Sequence, residues 1–248
     1  MNRGSLRQAL LVGAILALVV VVAGGVYLGT PHHGSDGSVA SVKSNPNVAV
    51  SEHSGTYVLA PAAGNATTGL VFYPGGRVHP DAYLATLAPL AERAGVRVVV
   101  PGMPLNLAVL DSGAAGQYVT NESVDRWYVG GHSLGGAMAC RYAADNPNAV
   151  DGVVLYAAYC DRDISDTELT ALSVTGSADT VLDRETYESN REHLPENATV
   201  RELPLNHSQF GSYRGQRGDS PSNVSYAAVH DRLANVTVSW LRARSGQG

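Results

Sequence analysis

Residues 127–137 read WYVGGHSLGGA and hold a G-x-S-x-G motif centred on Ser133. An apolar run precedes the motif and an alanine-containing stretch follows it, which predicts a strand that turns directly into a helix. Such a turn holds the serine in strained dihedral angles at its apex, and small residues on either side prevent collisions. The helix directs its first amides and the positive end of its dipole toward the same point. The pattern therefore predicts that Ser133 is a nucleophile beside a site for a developing oxyanion.

A serine hydroxyl needs a base, and the base needs an acid that orients it. In a strand–turn–helix context of this kind, the expected order along the chain is serine, acid, histidine. Three histidines follow Ser133, namely His193, His207 and His230. His207 lies in a loop just after a predicted strand, whereas His193 lies late in a polar helix and His230 lies inside the last helix. His207 is therefore the predicted base.

The predicted acid is Asp179, which ends the segment 174–179 where a strand turns into a loop. A carboxylate at that point can reach a histidine in the loop after the next strand. Asp183 competes with it, but Asp183 starts the following helix and has the position of an N-cap. Three further carboxylates follow an earlier strand and are expected to be loop or capping residues: Asp161, Asp163 and Asp166.

An oxyanion hole needs two donors. The first is expected to be the amide of Leu134, directly after the nucleophile. The second is expected from Gly76 in the Pro-Gly-Gly turn after an early strand, although such a turn is also common without any catalytic role. Arg77 and His79 follow this turn and are predicted to line the substrate pocket; packing at the entry of a helix explains His79 equally well.

From Thr56 onward, short β-branched runs alternate with segments of helical length. Strands that lie between helices on both faces are typical of a mostly parallel sheet, so the predicted fold class is α/β. The predicted strands are residues 56–60, 70–73, 97–100, 127–130, 152–157, 171–175 and 200–203. The predicted helices are residues 81–94, 107–118, 134–146, 184–193 and 222–242, with Asp81 as an N-cap and Gly95 as a C-cap.

The chain resembles the α/β-hydrolase superfamily, and within it a compact subgroup with a Y-P-G-G-x-V turn and an N-H-x-Q-F-G segment. The matching segments are residues 72–78, 99–110, 128–137, 156–159, 176–179 and 206–211. The resemblance implies the same nucleophile, acid and base that were reached above. The chain departs from the pattern of the subgroup at Leu205, where the subgroup usually has glycine. Leu205 is expected to tighten the loop that carries the base. The interval 158–170 has only 13 residues, so no large cap domain is expected and the site should be open.

Residues 9–28 read ALLVGAILALVVVVAGGVYL and carry no charge. A membrane-spanning helix needs about 20 apolar residues, whereas the apolar part of a signal peptide has roughly 7–15. Arg3 and Arg7 precede the run and no lysine or arginine follows it until Lys43. This asymmetry predicts that residues 1–8 are cytoplasmic, that residues 9–28 are an anchor and that the rest lies outside the cytoplasm. Secretion after removal of a signal peptide is the alternative.

Residues 29–55 are rich in Gly, Ser, Pro and Asn and are predicted to be a flexible tether, followed by a hydrolase domain over 56–248. His32 and His33 are adjacent in this segment, and they are expected to be solvated rather than to bind a metal ion. Six N-x-S/T sequons agree with an exported chain, although Asn206 beside the base is expected to be too enclosed for a glycan. The sequon asparagines are Asn65, Asn121, Asn197, Asn206, Asn223 and Asn235.

The composition excludes several classes of function. The 248 residues carry 22 acidic and 17 basic side chains, and the net charge of −5 without any Lys/Arg-rich run argues against binding to nucleic acid. Two cysteines cannot form a disulfide-dense scaffold or a four-thiolate zinc site. Whether Cys140 and Cys160 pair is left open, because Cys140 lies about two helical turns beyond the nucleophile.

These observations predict a membrane-anchored serine hydrolase that cleaves an ester-like bond of a small-molecule or lipid-like substrate through an acyl-enzyme. No metal, no organic cofactor and no nucleic acid are expected to take part, and the protein is expected to be a monomer. Two alternatives stay open. One is an acyltransferase that uses the same three residues; the other is a catalytically silent hydrolase fold that binds a ligand, although the intact serine–acid–histidine order argues against it.

Overall fold

The computed structural model describes residues 24–25, 29–120 and 123–245. Within these residues the chain forms an eight-stranded sheet in the order β1-β2-β4-β3-β5-β6-β7-β8. The strands are β1 (Val48–His53), β2 (Thr56–Pro61), β3 (Thr68–Tyr73), β4 (Val96–Val100), β5 (Arg126–His132), β6 (Gly152–Tyr156), β7 (Thr170–Gly176) and β8 (Thr199–Leu203). All seven predicted strands are present, and β1 is an eighth that the sequence did not predict.

The strands from β3 to β8 run parallel, whereas β1 and β2 form an antiparallel hairpin that adds β2 antiparallel to β4. Every residue of β3 and of β6 is buried, which explains why these strands are apolar without alternation. Because the parallel strands end at the same edge, the turns after β3, β5, β7 and β8 come together there. The predicted α/β class with a mostly parallel sheet is confirmed.

Helices cover both faces of the sheet. They are α1 (Asp36–Lys43), α2 (Leu84–Ala94), α3 (Leu134–Asp145), α4 (Arg184–Ser189) and α5 (Tyr226–Ser245). One apolar core lies beneath α1, α2 and α5, and a second lies beneath α3 on the opposite face. Gly95 ends α2 with a φ of 65°, as predicted for a C-cap.

Three details of the predicted helices are wrong. Residues 107–118 form separate 3₁₀ turns instead of a helix, since Gly113 and Gly116 interrupt the segment. The N-cap before α2 is His79 rather than Asp81: its side chain accepts a hydrogen bond from the Asp81 amide, and a 3₁₀ turn over Pro80–Tyr83 leads into the helix. The helix predicted at 184–193 ends at Ser189 and continues only as a 3₁₀ turn.

The prediction of a flexible tether over 29–55 is also wrong for most of its length. Ser35 caps α1, and β1 pairs with β2 along its whole length. Val42 and Val48 are buried in the core, so a few apolar side chains suffice to fix a segment of polar composition. His32 joins the domain as well, because its amide donates to the Arg77 carbonyl at 2.7 Å and its carbonyl accepts from the His79 amide at 2.9 Å.

The anchor predicted at 9–28 lies outside the described residues, apart from Gly24 and Gly25. No helix among the residues that are described combines the length and the apolar character that a membrane span requires.

Cys140 in α3 and Cys160 after β6 form a disulfide, with their Cα atoms 5.5 Å apart. This bond fastens the helix that follows Ser133 to the segment after the neighbouring strand. Arg141 and Asp161 form an ion pair next to it. Residues 158–169 are all described and contain no helix, in agreement with the expectation that this interval is too short for a cap.

Candidate active site

Ser133 lies at the turn between β5 and α3, with a φ of 53° and a ψ of −125°. A non-glycine residue in this region is strained, as expected of a residue held at the apex of a sharp turn. A Cβ on Gly131 would lie 2.5 Å from the Gly135 carbonyl carbon, and a Cβ on Gly135 would collide with the Tyr73 carbonyl. The two glycines of the motif are therefore dictated by the close approach of strand, helix and the turn after β3.

His207 and Asp179 form a buried pair at the same edge of the sheet. His207 Nδ1 lies 2.9 Å from Asp179 Oδ2, and the two side chains are 2% and 0% exposed. Asp179 follows β7, and its other oxygen accepts hydrogen bonds from the Val181 and Leu182 amides at 2.8 and 3.0 Å. This contact keeps the proton of the neutral ring on Nδ1, so Nε2 is left as the basic nitrogen.

The Asp179 carboxyl has a lowered pKa. Burial alone would raise it, but the hydrogen bond and the positive charge of His207 outweigh burial, and the two backbone amides act in the same direction. The carboxylate therefore stays ionised and can stabilise a positively charged imidazole. The competing acids have other roles: Asp183 caps α4 through the Thr186 amide, and Asp163 accepts from the Ser165 amide.

The other two downstream histidines bind backbone carbonyls. His193 Nδ1 lies 2.8 Å from the Cys160 carbonyl, and the buried His230 places Nε2 3.0 Å from the Gly211 carbonyl. Among the described histidines that follow Ser133, only His207 forms a hydrogen bond with a carboxylate.

The loop that carries His207 is held by two polar residues. Asp219, for which the sequence indicated only a place in a glycine-rich surface loop, accepts hydrogen bonds from the amides of His207 and Ser208 at 3.0 and 2.8 Å. Asn206 and Gln209 form a capping box around the 3₁₀ turn His207–Phe210. The Asn206 side-chain nitrogen donates to the Ser220 carbonyl at 2.6 Å, which supports the expectation that this sequon is enclosed.

A second histidine, His132, lies beneath the His207–Asp179 pair, and the sequence motif gave no indication of its role. His132 is fully buried, and its ring centroid lies 4.4 Å from that of His207. Its Nδ1 is 2.9 Å from the Tyr83 hydroxyl, which also accepts a hydrogen bond from the Gly75 amide at 2.9 Å. Burial, together with the charge of the nearby His207, holds the pKa of His132 well below its ordinary value. His132 is thus a neutral ring packed against His207.

Gly76 and Leu134, the two predicted oxyanion donors, belong to neighbouring turns. A Cβ on Gly76 would lie 3.4 Å from Leu134 Cδ2. Leu134 is the first residue of α3, so its amide has no acceptor within the helix, and the Gly76 amide has no acceptor among the described residues. The Arg77 amide differs, because it donates to the Asn106 carbonyl at 2.8 Å. The part of the Gly76 and Leu134 amides in an oxyanion hole stays a prediction.

The structure places the two predicted pocket residues beside the N-terminal segment. The Arg77 guanidinium donates to the Thr30 carbonyl at 3.1 Å. His79 Nδ1 lies 3.1 Å from Asp81 Oδ2, and its ring lies against that of His33. A part in the substrate pocket stays a prediction for both.

Comparisons with known proteins agree with this architecture. The family model for the alpha/beta hydrolase family matches residues 69–231, and no curated protein matches the chain. The predicted CIB-like hydrolase of Thermoplasma acidophilum is similar in structure, with a TM-score of 0.59 at 16% identity over 79% of this chain and 99% of that one. An esterase of Pyrobaculum calidifontis gives a TM-score of 0.54 at 17% identity over 81% of this chain and 89% of that one. These two likenesses show a shared fold, and the family match, which spans more than half of the sequence, shows that the chain belongs to the alpha/beta hydrolase family.

Proposed function

We propose that the protein is a serine hydrolase that cleaves an ester-like bond through an acyl-enzyme. The observation that carries this proposal is the buried contact of 2.9 Å between His207 Nδ1 and Asp179 Oδ2. The His207 ring lies 4.4 Å from that of His132, the residue directly before the strained Ser133. A buried carboxylate that orients an imidazole next to a nucleophile elbow is the arrangement that activates a serine hydroxyl. The esterase activity in the name of one structural neighbour agrees with this reaction class.

In the proposed reaction, Ser133 Oγ attacks the carbonyl carbon of the substrate while His207 Nε2 takes its proton. Asp179 stabilises the resulting imidazolium, and the Gly76 and Leu134 amides donate to the oxyanion. The imidazolium then protonates the leaving alcohol, which departs as the carbonyl re-forms. Water attacks the acyl-enzyme with His207 as its base, and the acid product and free Ser133 result.

The surface beside the oxyanion turn supports an apolar group in the substrate. Leu105, Val109 and Leu110 are exposed in the loop after β4. Leu107 of the same loop reaches within 3.8 Å of the position of a Cβ on Gly76. Since exposed apolar clusters mark binding surfaces, we propose a lipid-like or other apolar ester as the substrate.

Location outside the cytoplasm and anchoring by residues 9–28 belong to the same proposal. The uncharged run of 20 residues supports the anchor. The Cys140–Cys160 disulfide supports an oxidising compartment, because cytoplasmic thiols are kept reduced. Membrane fractionation of cells, followed by protease treatment of intact cells, tests both points; recovery of the protein in the cytosolic fraction contradicts them.

Turnover of a panel of activated esters, amides and lactones by the full chain tests the activity. The full chain is needed, because a fragment beginning at Thr56 would lack α1 and β1. We expect hydrolysis of esters by the wild-type protein and a loss of about 10⁶-fold in kcat for Ser133→Ala. No turnover of any ester by a folded wild-type protein would refute the proposal. Product analysis with an added acceptor alcohol separates hydrolysis from acyl transfer.

A further inference from the structure

Outside the Ser133 site, the fold gathers two histidines and a carboxylate from distant parts of the sequence. His33 comes from the N-terminal segment, and His79 and Asp81 come from the start of the turn before α2. One ligand atom from each of these side chains lies within 4.8 Å of the other two. We call these three residues the His33 cluster.

The distances within the His33 cluster centre on one carboxylate oxygen. Asp81 Oδ2 lies 2.8 Å from His33 Nδ1 and 3.1 Å from His79 Nδ1. His79 Nδ1 also accepts a hydrogen bond from the Asp81 amide at 3.3 Å, which places a lone pair on that nitrogen. A ring nitrogen with a lone pair and a carboxylate oxygen repel each other at such a distance unless a proton or a cation lies near both.

The same spacing suits a tetrahedral metal ion. Ligand atoms at 2.0–2.1 Å from Zn²⁺ stand about 3.3 Å apart. The two distances from Asp81 Oδ2 to the histidine nitrogens are close to this value, and all three ligand atoms lie within 4.8 Å of one another. Imidazole nitrogen and carboxylate oxygen are ordinary zinc ligands, whereas Ca²⁺ and Mg²⁺ prefer sets made of oxygen alone. The chemistry of the cluster therefore favours zinc over these harder ions.

A second layer of contacts fixes the carboxylate. The Gly34 amide donates to Asp81 Oδ1 at 2.9 Å, which leaves Oδ2 as the oxygen directed at the histidines. A Cβ on Gly34 would lie 2.8 Å from the Asp81 carbonyl oxygen, so glycine permits this approach. Hydrogen bonds of this kind orient metal ligands and are characteristic of built sites.

We propose that the His33 cluster binds one divalent cation of the zinc type through His33, His79 and Asp81. The His33 side chain is 55% exposed, so a water molecule can complete the coordination shell from the open side. His32 is not part of the site, because its ring packs near that of Tyr213. The ion joins the N-terminal segment to the turn that carries Tyr83, whose hydroxyl holds the Gly75 amide of the oxyanion turn.

Titration calorimetry with Zn²⁺ tests the proposal on the full chain, purified in detergent without a polyhistidine tag, treated with EDTA and desalted. We expect one equivalent of Zn²⁺ per chain and a rise in melting temperature on binding. His33→Ala, His79→Ala and Asp81→Asn should each weaken binding at least about 10-fold, since loss of outer partners alone costs that much. His53→Ala, which removes an exposed histidine outside the cluster, should bind zinc like the wild type.

Other results would overturn the proposal. Absence of stoichiometric zinc binding by the wild-type chain would do so, as would unchanged binding by a folded His33→Ala variant or equal affinity for Mg²⁺ and Zn²⁺. Circular dichroism establishes that each variant is folded, and His33 is the safest position because its side chain is largely exposed. Replacement of Zn²⁺ by Co²⁺ gives a second measurement: a tetrahedral visible spectrum that His33→Ala lacks is expected, and its absence in the wild type counts against the site.

Discussion

The described part of the chain brings histidine and aspartate together at two places, and the two pairs differ in burial rather than in distance. His207 and Asp179 approach to 2.9 Å, and His33 and Asp81 approach to 2.8 Å. The first pair is 2% and 0% exposed, whereas the second is 55% and 14% exposed. A buried pair with further amide donors fixes one tautomer in a medium of low dielectric constant, and an exposed pair stays open to an ion from solution. The same contact can therefore serve two different kinds of chemistry.

Removal of the buried histidine should give the largest effect. His207→Ala deletes the base and the proton donor of both half-reactions, so kcat toward an activated ester should fall by about 10⁶-fold. His53→Ala is the matched control, because its side chain is exposed in β1, and its kcat should stay within about 2-fold of the wild type. Steady-state kinetics provide the measurement. Residual activity of His207→Ala above a few per cent of the wild type would contradict the proposal that His207 is the base.

Neutralising the buried acid should lower kcat somewhat less than removing the buried histidine does. Asp179→Asn keeps the shape of the side chain but favours the wrong tautomer of His207, so kcat should fall by about 10⁴-fold. Asp183→Asn is the same chemical change four positions away, at an N-cap where asparagine serves as well as aspartate. Its kcat should be unchanged. If both variants lose activity equally, Asp179 is not the orienting acid.

Tyr83 should have a smaller, positioning effect. Tyr83→Phe removes the hydroxyl that holds the Gly75 amide and His132, so stability should fall by about 1–3 kcal/mol. We expect kcat to fall by about 10-fold while KM changes little, since the oxyanion turn loosens. Tyr187→Phe removes a buried hydroxyl bonded to Ser173 Oγ and should lower stability without lowering kcat. Equal kcat values for the two variants would show that the role of the Tyr83 hydroxyl is purely structural.

The pH dependence of stability should be the most modest effect. The pKa of Asp179 is lower in the folded chain than its ordinary value of 3.8, so its ionised form favours the folded state. This stabilisation of the folded state is fully present at pH values above the pKa that Asp179 has in the unfolded chain. It is lost as the pH falls through the lowered pKa that Asp179 has in the folded chain. The melting-temperature difference between wild type and Asp179→Asn should therefore be constant near neutrality and shrink below about pH 4. A difference that grows on acidification would contradict the assignment.

Much of the candidate site can be predicted from local sequence pattern. Ser133, Asp179 and His207 each stand at the end of a predicted strand, and parallel strands bring their carboxyl ends to one edge. The glycines around Ser133 indicate that the backbone segments of the turn approach each other closely, and the five residues of the motif are enough to recognise this. These features depend on short segments and on a topology with few alternatives, which is why the sequence predicts them.

What the sequence missed depends on contacts between distant segments. His132 occupies the variable position of the motif, and only its burial against Tyr83 and His207 gives it a role. Asp219 lies in a glycine-containing loop whose composition does not reveal that it binds the His207 amide. The segment with α1 and β1 has a polar composition, which does not reveal that Val42 and Val48 are buried in the core and that β1 pairs with β2.

The central claim is that Ser133 is the nucleophile and that His207 activates it. Reaction of the full chain with a fluorophosphonate, followed by intact-mass and peptide mass spectrometry, tests this most directly. We predict a single adduct on the peptide that contains Ser133, no adduct on Ser133→Ala, and slow labelling of His207→Ala. An adduct of the same mass and rate on the Ser133→Ala protein would contradict the account.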